Sequence, residues 1–313
     1  MTKVSLIGAG PMAQAYGHAI KAAGLDCVVI GRGADSAKTF TDTVGLPVLL
    51  GGIDANSEAL SGVTHAIVAL PIPALAKQSI ALMEIGVRKL LVEKPGGIDA
   101  AEVASVVSKA QKTDTEVFVA YNRRFYASVI EARKRILADG GPTSFRFEIS
   151  EWSARIGPSA QPDNVKAAWL LANSTHVADM AFFLGGFPTA ISCHSAGTTG
   201  WHAPAVFVGH GKSETGALFS YHGDWNAAPR WMVEICTNGN TYMFQPLEGL
   251  KVRTKDGFSI EDIQCPGAEN DKAFKPGILK QVEAFVAADL SSDLLSIKNQ
   301  LAHMRNIYSM MQG

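Results

Sequence analysis

The sequence contains no apolar run long enough to cross a bilayer, and no charged leader precedes an apolar stretch at its N-terminus. It also lacks an excess of charge of either sign, because 28 Lys and Arg residues stand against 29 Asp and Glu residues. The basic residues form no stripe interleaved with aromatic side chains, which argues against binding to nucleic acid. We therefore expect a soluble cytoplasmic protein that binds neither membranes nor nucleic acid.

Cysteine is scarce, and the four cysteines form no CxxC pair: they are Cys27, Cys193, Cys236 and Cys265. Widely spaced cysteines in apolar surroundings are typical of buried thiols in a reducing compartment. Four histidines of the second half show no ligand-like spacing: His194, His202, His210 and His222. The sequence therefore predicts no structural disulfide and no metal site.

The first 120 residues alternate apolar strands with helices of ten or more residues. Such alternation predicts a parallel, doubly wound sheet of the Rossmann type. The predicted strands lie at 4–7, 27–30, 48–50, 66–70, 90–92 and 117–120. The predicted helices between them lie at 11–23, 35–44, 73–85 and 99–112. We assign residues 1–120 to a dinucleotide-binding domain.

The pattern changes after Tyr121, where strand-like runs follow one another with few helices between them. Asn238-Gly239 separates two of these runs and is a strong hairpin signal. We assign residues 121–313 to an α+β domain for substrate binding and oligomerisation, with a mostly antiparallel open sheet. Two helices, at about 277–290 and 294–311, are expected to close the chain.

The segment Gly8-Ala9-Gly10-Pro11-Met12-Ala13 fits the dinucleotide pattern GxGxxG/A and joins the first strand to the first helix. Gly8 permits the tight turn, and Gly10 lets a pyrophosphate approach the backbone. The small Ala13 lets the helix pack closely on the strand. Pro11 and Met12 begin the helix, whose N-terminus favours the phosphates. This segment predicts a nicotinamide dinucleotide site.

The end of the second strand bears on which dinucleotide is bound. An acidic residue there would bind the ribose hydroxyls of NAD, but this chain has Gly31-Arg32-Gly33, followed by Ser36 and Lys38. The Arg32 guanidinium suits a 2′-phosphate, so we favour NADP over NAD. Two alternatives stay open: Arg32 as a solvated surface residue, and Asp35 turned inward to bind NAD.

The chain resembles the glucose-fructose oxidoreductase/inositol dehydrogenase/MocA (Gfo/Idh/MocA) family over essentially its whole length. The resemblance rests on five short motifs in this order: the Gly8–Ala13 turn, Ala69-Leu70-Pro71, Glu93-Lys94-Pro95, Tyr121-Asn122-Arg123-Arg124-Phe125 and His176-Val177-Ala178-Asp179. It implies an NAD(P)-dependent dehydrogenase or reductase of sugars, nucleotide sugars or cyclitols.

The resemblance also implies roles for individual residues. Lys94 would contact the reacting hydroxyl or carbonyl, and His176 would be the acid/base residue. Glu93 and Asn122 would lie beside the cofactor. The remaining implied contacts are Leu70 and Pro71 with the cofactor, and Tyr121 and Arg123 with the substrate. The aspartate that many family members carry four residues before the histidine is Ala172 here, with Asn173 and Asp179 as nearby substitutes.

The residue types fit this chemistry. Hydride transfer from a secondary alcohol requires a proton acceptor and a positive group beside the oxygen, roles for which His176 and Lys94 are suited. Asp179, three residues after His176, could orient the imidazole. Simpler interpretations stay open: Lys94 as an exposed strand-end lysine, His176 as a structural histidine, Asn173 as a helix cap and Asp179 as an ion-pair partner.

Two loops are predicted to form the substrate wall, because tryptophan faces stack on sugar rings and arginine binds hydroxyls or phosphate. The predicted contacts are Trp152 and Arg155 in the first loop, and Trp225 and Arg230 in the second. Core or interface packing of these aromatic residues is the alternative.

These patterns together predict an oxidoreductase that uses NADP or NAD and acts on a sugar-like small molecule. A non-catalytic NAD(P)-binding sensor of the same fold is the alternative. An open antiparallel sheet often has one face that seeks a partner, so we expect a homodimer or homotetramer.

Overall fold

The computed structural model describes residues 3–287 and 293–313. The chain divides into two compact units. The first unit comprises Met1–Asn122 and Lys272–Ala302, and the second comprises Arg123–Asp271 and His303–Gly313. Every residue after 120 was predicted to belong to one second domain, whereas residues 272–302 group with the first unit.

The strands, in chain order, are β1 (Lys3–Ile7), β2 (Asp26–Ile30), β3 (Val48–Leu49), β4 (His65–Val68), β5 (Lys89–Glu93), β6 (Glu116–Ala120), β7 (Ser144–Ser150), β8 (Pro188–Ala196), β9 (Val206–Ser213), β10 (Leu218–Asp224), β11 (Arg230–Cys236), β12 (Asn240–Phe244), β13 (Lys251–Thr254), β14 (Glu261–Asp262) and β15 (Leu295–Ser296).

The helices, in chain order, are α1 (Pro11–Ala22), α2 (Ala34–Val44), α3 (Gly52–Ala55), α4 (Ile72–Glu84), α5 (Ala100–Thr113), α6 (Ala127–Ala138), α7 (Ser153–Ile156), α8 (Asp163–Ala167), α9 (Thr175–Gly185), α10 (Ala268–Ala273), α11 (Ile278–Val286) and α12 (Ile297–His303). Within the described residues, no helix is both long enough and apolar enough to span a membrane.

The sheet of the first unit has the strand order β15-β6-β5-β4-β1-β2-β3 in the described part of the chain. Strands β1 to β6 are parallel, and β15 pairs antiparallel with β6. Every residue of β5 is buried, as expected for a strand covered on both faces. The order reverses between β1 and β4, which is where ligands bind in open α/β sheets.

The sheet of the second unit has the order β14-β13-β12-β11-β7-β10-β9-β8 among the described residues. Its pairs are antiparallel except for β7 with β10. Phe147 of β7 lies edge-on to Phe182 of α9, which covers one face of the sheet. The predicted fold class, a Rossmann domain with a second, mostly antiparallel sheet, is therefore confirmed.

The two closing helices differ from the prediction. Helix α11 ends at Val286, and the predicted continuation to Leu290 lies outside the described residues. Residues Leu295 and Ser296, predicted as helical, form strand β15 because they pair with Val119 and Phe118 of β6. The α-helix α12 then ends at His303 and gives way to a π-helical turn at Met304–Tyr308.

Candidate active site

The predicted cofactor turn lies between β1 and α1, and its two glycines serve different purposes. Gly8 has φ +125°, and a Cβ atom there would lie 2.3 Å from the carbonyl oxygen of Ala69. Gly10 has an ordinary φ of −79°, and a Cβ atom there would meet no atom within 4 Å. Gly8 is thus required by the fold, whereas Gly10 leaves open space at the N-terminus of α1. That space fits a pyrophosphate approaching the backbone.

The rest of this turn is built as the motif predicts. Pro11 is the first residue of α1, where its missing N–H costs nothing, and Ala13 is fully buried. Leu70, from the segment after β4, has its Cδ2 atom 3.4 Å from the point where a Gly8 Cβ would lie. Two predicted cofactor segments, after β1 and after β4, therefore meet in the first unit.

The loop after β2 carries the residues predicted to select the cofactor. Arg32 is exposed, and its Cγ atom would lie 3.2 Å from a Cβ placed on Gly52. The Ser36 hydroxyl donates to the Gly33 carbonyl at 3.0 Å, and the Lys38 ammonium pairs with Asp42 at 2.5 Å. Among the described residues, Arg32 has no ion-pair partner, so its guanidinium is the cation of this loop that is available to an anion.

Lys94 follows the last residue of β5 and is half-buried. It therefore stands at the carboxyl edge of the parallel sheet, beside β4 and on the same edge as the Gly8 turn. Ligands of doubly wound sheets bind outside this edge. The placement predicted for Lys94 from the sequence is thus the placement it has in the first unit.

Glu93 is 9% exposed and belongs to a buried hydrogen-bonded group. The Tyr16 hydroxyl of α1 lies 2.9 Å from Glu93 Oε1 and 3.1 Å from Gln281 Oε1 of α11. Burial raises the pKa of the Glu93 carboxyl, while the positive charge of Lys94 and the Tyr16 hydrogen bond oppose that rise. The sequence did not reveal Tyr16 or Gln281, since the periodicity of an amphipathic helix does not show which of its buried polar residues hydrogen-bonds to a distant part of the chain.

Asn122 and Tyr121 follow β6. The Asn122 amide donates to the Pro276 carbonyl at 2.9 Å and is buried. Tyr121, which was predicted to contact substrate, is only 1% exposed, and its hydroxyl accepts a hydrogen bond from Gln300 at 3.3 Å. The structure therefore makes Tyr121 part of the core of the first unit, which corrects that prediction.

In the second unit, His176 is the second residue of α9 and is 9% exposed. The helix is preceded by a π-helical turn, Leu170–Ser174, which includes the buried Ala172. Asp179 lies one turn further along α9 and was predicted to orient the imidazole. Both of its carboxylate oxygens instead accept from Arg124, at 2.8 and 2.6 Å. This buried, bidentate ion pair corrects the predicted role and agrees with the ion-pair alternative.

The carboxylate that contacts the turn before His176 is Glu151, which sequence reasoning missed. It follows β7 and is 4% exposed. The Asn173 amide lies 3.1 Å from both of its oxygens, and the Ser174 hydroxyl donates to Oε1 at 2.7 Å. No sequence motif singles out Glu151. Its position at the carboxyl end of a strand was the available signal.

The predicted substrate wall divides into exposed and buried residues. Trp152 is 53% exposed, and the Arg155 guanidinium lies 5.5 Å from its ring centroid. Arg123 likewise lies 5.1 Å from the ring of Trp231, which is on the same face of the sheet as α9. Each of these pairs combines an aromatic face with a guanidinium.

Two other predicted wall residues are placed differently. Trp225 is fully buried, stacks on Trp201 at 5.6 Å and donates to the Ile149 carbonyl at 2.9 Å, so it is a core residue with no face for a ligand. Arg230 is paired with Ser150 across the strands, and its guanidinium lies 3.3 Å from Glu148. Because these positions alternate with those that face α9, Arg230 lies on the opposite face of the sheet from His176.

No protein-family model matches this chain, and no curated protein is similar to it in sequence. Its fold is nevertheless similar to solved structures. An NAD-binding oxidoreductase from Klebsiella pneumoniae matches with a TM-score of 0.79 at 14% identity, over 99% of this chain and 96% of that one.

Two further similar structures are sugar or nucleotide-sugar dehydrogenases. Levoglucosan dehydrogenase, in complex with NADH and levoglucosan, matches with a TM-score of 0.75 at 19% identity, over 99% of this chain and 95% of that one. UDP-N-acetylglucosamine 3-dehydrogenase GnnA from Acidithiobacillus ferrooxidans matches with a TM-score of 0.74 at 14% identity, over 99% of this chain and 98% of that one. At these identities the likeness establishes the fold.

Proposed function

We propose that the protein is an NAD(P)-dependent oxidoreductase that transfers a hydride to or from a secondary alcohol or ketone carbon of a sugar, nucleotide sugar or cyclitol. The observation that carries the proposal is the placement of Lys94 on the carboxyl edge of the parallel sheet, the same edge as the open turn at Gly10. The substrate class is supported by the similar dehydrogenases of levoglucosan and UDP-N-acetylglucosamine.

The proposed chemistry gives Lys94 and His176 separate roles. When bound, the nicotinamide supplies or accepts the hydride. Lys94 would hold the reacting oxygen and stabilise its alkoxide character through a positive charge. His176 would take the hydroxyl proton in oxidation and return it in reduction. Asp179 is left out of this scheme because its carboxylate is bound to Arg124.

The exposed Trp152–Arg155 pair and the Arg123–Trp231 pair are proposed as substrate contacts. An aromatic face suits the C–H face of a sugar ring, and a guanidinium suits hydroxyl or phosphate oxygens. Asn173 is less available, since its amide already donates to Glu151.

We favour NADP as the cofactor because Arg32 offers an exposed guanidinium after β2, where an NAD enzyme commonly has a carboxylate. The similar Klebsiella pneumoniae oxidoreductase is NAD-binding and the levoglucosan dehydrogenase structure holds NADH, which keeps NAD as the alternative. Titration of the Arg32→Ala variant with both reduced cofactors tests this choice. NADPH binding should weaken far more than NADH binding, and an equal loss for both would contradict the preference for NADP.

The proposed activity is tested by following the nicotinamide absorbance band with a panel of sugars, nucleotide sugars and cyclitols. Lys94→Ala and His176→Ala should each retain cofactor affinity and lose turnover. Lys112→Ala and His194→Ala are matched controls, because both side chains are exposed and lie outside the proposed site. Normal rates in the first two variants would refute their roles. Tight cofactor binding with no turnover on any substrate would favour the alternative, a non-catalytic sensor.

The homodimer or homotetramer expected from the open sheet stays a prediction. The second unit exposes Leu218 and Val208, which are 62% and 48% accessible. Light scattering of the purified protein would give its mass in solution, and a monomer would contradict the prediction.

A further inference from the structure

Glu151 is a buried carboxylate that accepts hydrogen bonds from two neighbouring residues of one short segment, Asn173 and Ser174. A charged carboxyl group taken out of water is costly unless hydrogen bonds replace the lost solvation. Asn173 and Ser174 supply those bonds at 3.1, 3.1 and 2.7 Å. Both residues belong to the π-helical turn that leads into α9. The burial of Glu151 is therefore coupled to the conformation of this turn.

The turn is also where the path of α9 is set. Ser174 and Thr175 are fully buried, and His176 is the second residue of the helix. The Thr175 hydroxyl donates to the Leu171 carbonyl at 2.8 Å, and this hydrogen bond ties the first residue of α9 to the π-helical turn. Glu151, which directly follows β7, holds the turn from the sheet, in which β7 lies between β11 and β10. The side chain of Glu151 thus joins the end of strand β7 to the π-helical turn.

Since the first turn of α9 carries His176, we propose that Glu151 is the positioning residue for His176. This inference rests on the proposed function. Glu151 fixes Ser174 and Asn173, and these two residues in turn fix the position of the His176 imidazole relative to the reacting hydroxyl. Glu151 does not itself take the proton in this scheme. A catalytic group must be held closely, because a displacement of about 1 Å can cost on the order of 10²-fold in rate.

The test compares Glu151→Gln with Glu151→Asp in the full-length protein. Glutamine keeps the size of the side chain but removes the charge that the Asn173 and Ser174 donors face. Aspartate keeps the charge but withdraws it by one methylene. Glu234→Gln is the matched control, because Glu234 is a half-buried carboxylate of the same sheet that pairs with Arg146 at 3.0 Å on the opposite face from α9.

Glu151→Gln should lower kcat by on the order of 10²-fold with little change in KM or in cofactor affinity. Its solvent deuterium isotope effect on kcat should rise, because a misplaced imidazole makes proton transfer limiting. Glu151→Asp should recover part of the rate, and Glu234→Gln should behave as wild type. An effect on folding alone would leave the isotope effect unchanged in the folded enzyme, so that outcome overturns the positioning role.

Hydrogen exchange of the backbone amides of residues 173–178 gives a readout that needs no substrate. Glu151→Gln should exchange faster in this segment than wild type and than Glu234→Gln. Wild-type protection in Glu151→Gln overturns the proposal, whether or not a substrate has been found. If the wild-type protein oxidises no member of the panel, the proposed function fails, and the exchange experiment still decides whether Glu151 holds the turn.

Discussion

The Tyr16 hydroxyl lies 2.9 Å from Oε1 of Glu93, in a fully buried part of the first unit. The same hydroxyl lies 3.1 Å from Gln281 Oε1. A phenol has one proton and cannot donate to two acceptors, so another group must supply a second donor. Either Glu93 carries a proton, or the Gln281 amide turns its NH₂ group toward Tyr16.

Tyr16→Phe should therefore lower the free energy of unfolding by about 1–3 kcal/mol, because two buried polar groups lose their partner. The hydroxyl opposes the rise in the pKa of Glu93, so its removal raises that pKa further. A carboxyl with a raised folded pKa loses stability as the pH rises through that value. The loss should thus be larger near neutral pH than at mildly acidic pH, as measured by urea denaturation.

Tyr221→Phe is the control for this experiment. Its buried hydroxyl donates to the Met311 carbonyl at 3.2 Å, an acceptor that does not titrate. The control should show a loss that does not grow with pH over the same range. The same loss at both pH values in Tyr16→Phe would contradict the linkage to Glu93.

The two glycines of the cofactor turn predict opposite outcomes for the same substitution. Gly10→Ala should leave stability within about 1 kcal/mol, since its φ suits alanine and its Cβ meets no protein atom. It should nevertheless weaken NADH and NADPH binding, because the methyl group occupies the approach of the pyrophosphate. Gly8→Ala should destabilise the fold by more than about 2 kcal/mol, from its φ of +125° and the contact with Ala69.

Thermal unfolding and fluorescence titration of the reduced cofactors distinguish the two effects. Cofactor affinity at the wild-type level in Gly10→Ala would show that the phosphates bind elsewhere.

The buried pair of Arg124 and Asp179 predicts a stability effect where the sequence suggested a catalytic one. Asp179→Asn leaves the Arg124 guanidinium buried without its counter-charge, so the free energy of unfolding should fall by about 3–5 kcal/mol. Arg146→Met, which breaks the exposed pair with Glu234, should cost no more than about 1 kcal/mol. Loss of turnover in Asp179→Asn with unchanged stability would restore the catalytic interpretation.

The lowered pKa of His303, in the second unit, should make the stability of the protein depend on pH. Burial lowers its pKa to about 4, with Arg124 acting in the same direction and Asp179 in the opposite one. Between about pH 6.5, the ordinary pKa of histidine, and about pH 4, His303 is protonated in the unfolded chain but not in the folded chain. The contribution of His303 is therefore complete above about pH 6.5 and is lost as the pH falls toward 4, by about 1.4 kcal/mol per unit.

His303→Gln should flatten this part of the stability profile, although it also loses the stacking of the ring on Phe187 at 4.1 Å. His194→Gln, at an exposed position, should keep the wild-type slope. Chemical denaturation across the acidic range measures both variants, and an unchanged slope in His303→Gln would contradict the prediction.

Local patterns predicted much of this molecule. Apolar runs located β1 to β6, and the spacing of glycines located the cofactor turn, because each depends on residues that are neighbours in sequence. Asn238-Gly239 likewise located the hairpin between β11 and β12. The position of Lys94 was predicted because the apolar run that forms β5 ends just before it in the sequence.

Long-range partners explain what the sequence did not reveal. A tryptophan in a loop has the same appearance whether it faces a ligand or the core, and only the contact with Trp201 makes Trp225 a core residue. Glu151 takes its role from residues 173 and 174, more than twenty positions away. Leu295 and Ser296 become a strand because an edge of β6 is available to them.

The return of residues 272–302 to the first unit has a consequence for the order in which the protein forms. The ribosome must make the segment Arg123–Asp271 of the second unit before β15 can pair with β6 and before Gln281 can reach Tyr16. A fragment that stops at Asn122 would retain the glycine turn but would leave the edge of β6 open to pairing with other chains. The sheet of the first unit is therefore not a module that can be cut out at Asn122, because the edge of β6 is covered by residues made after Arg123–Asp271.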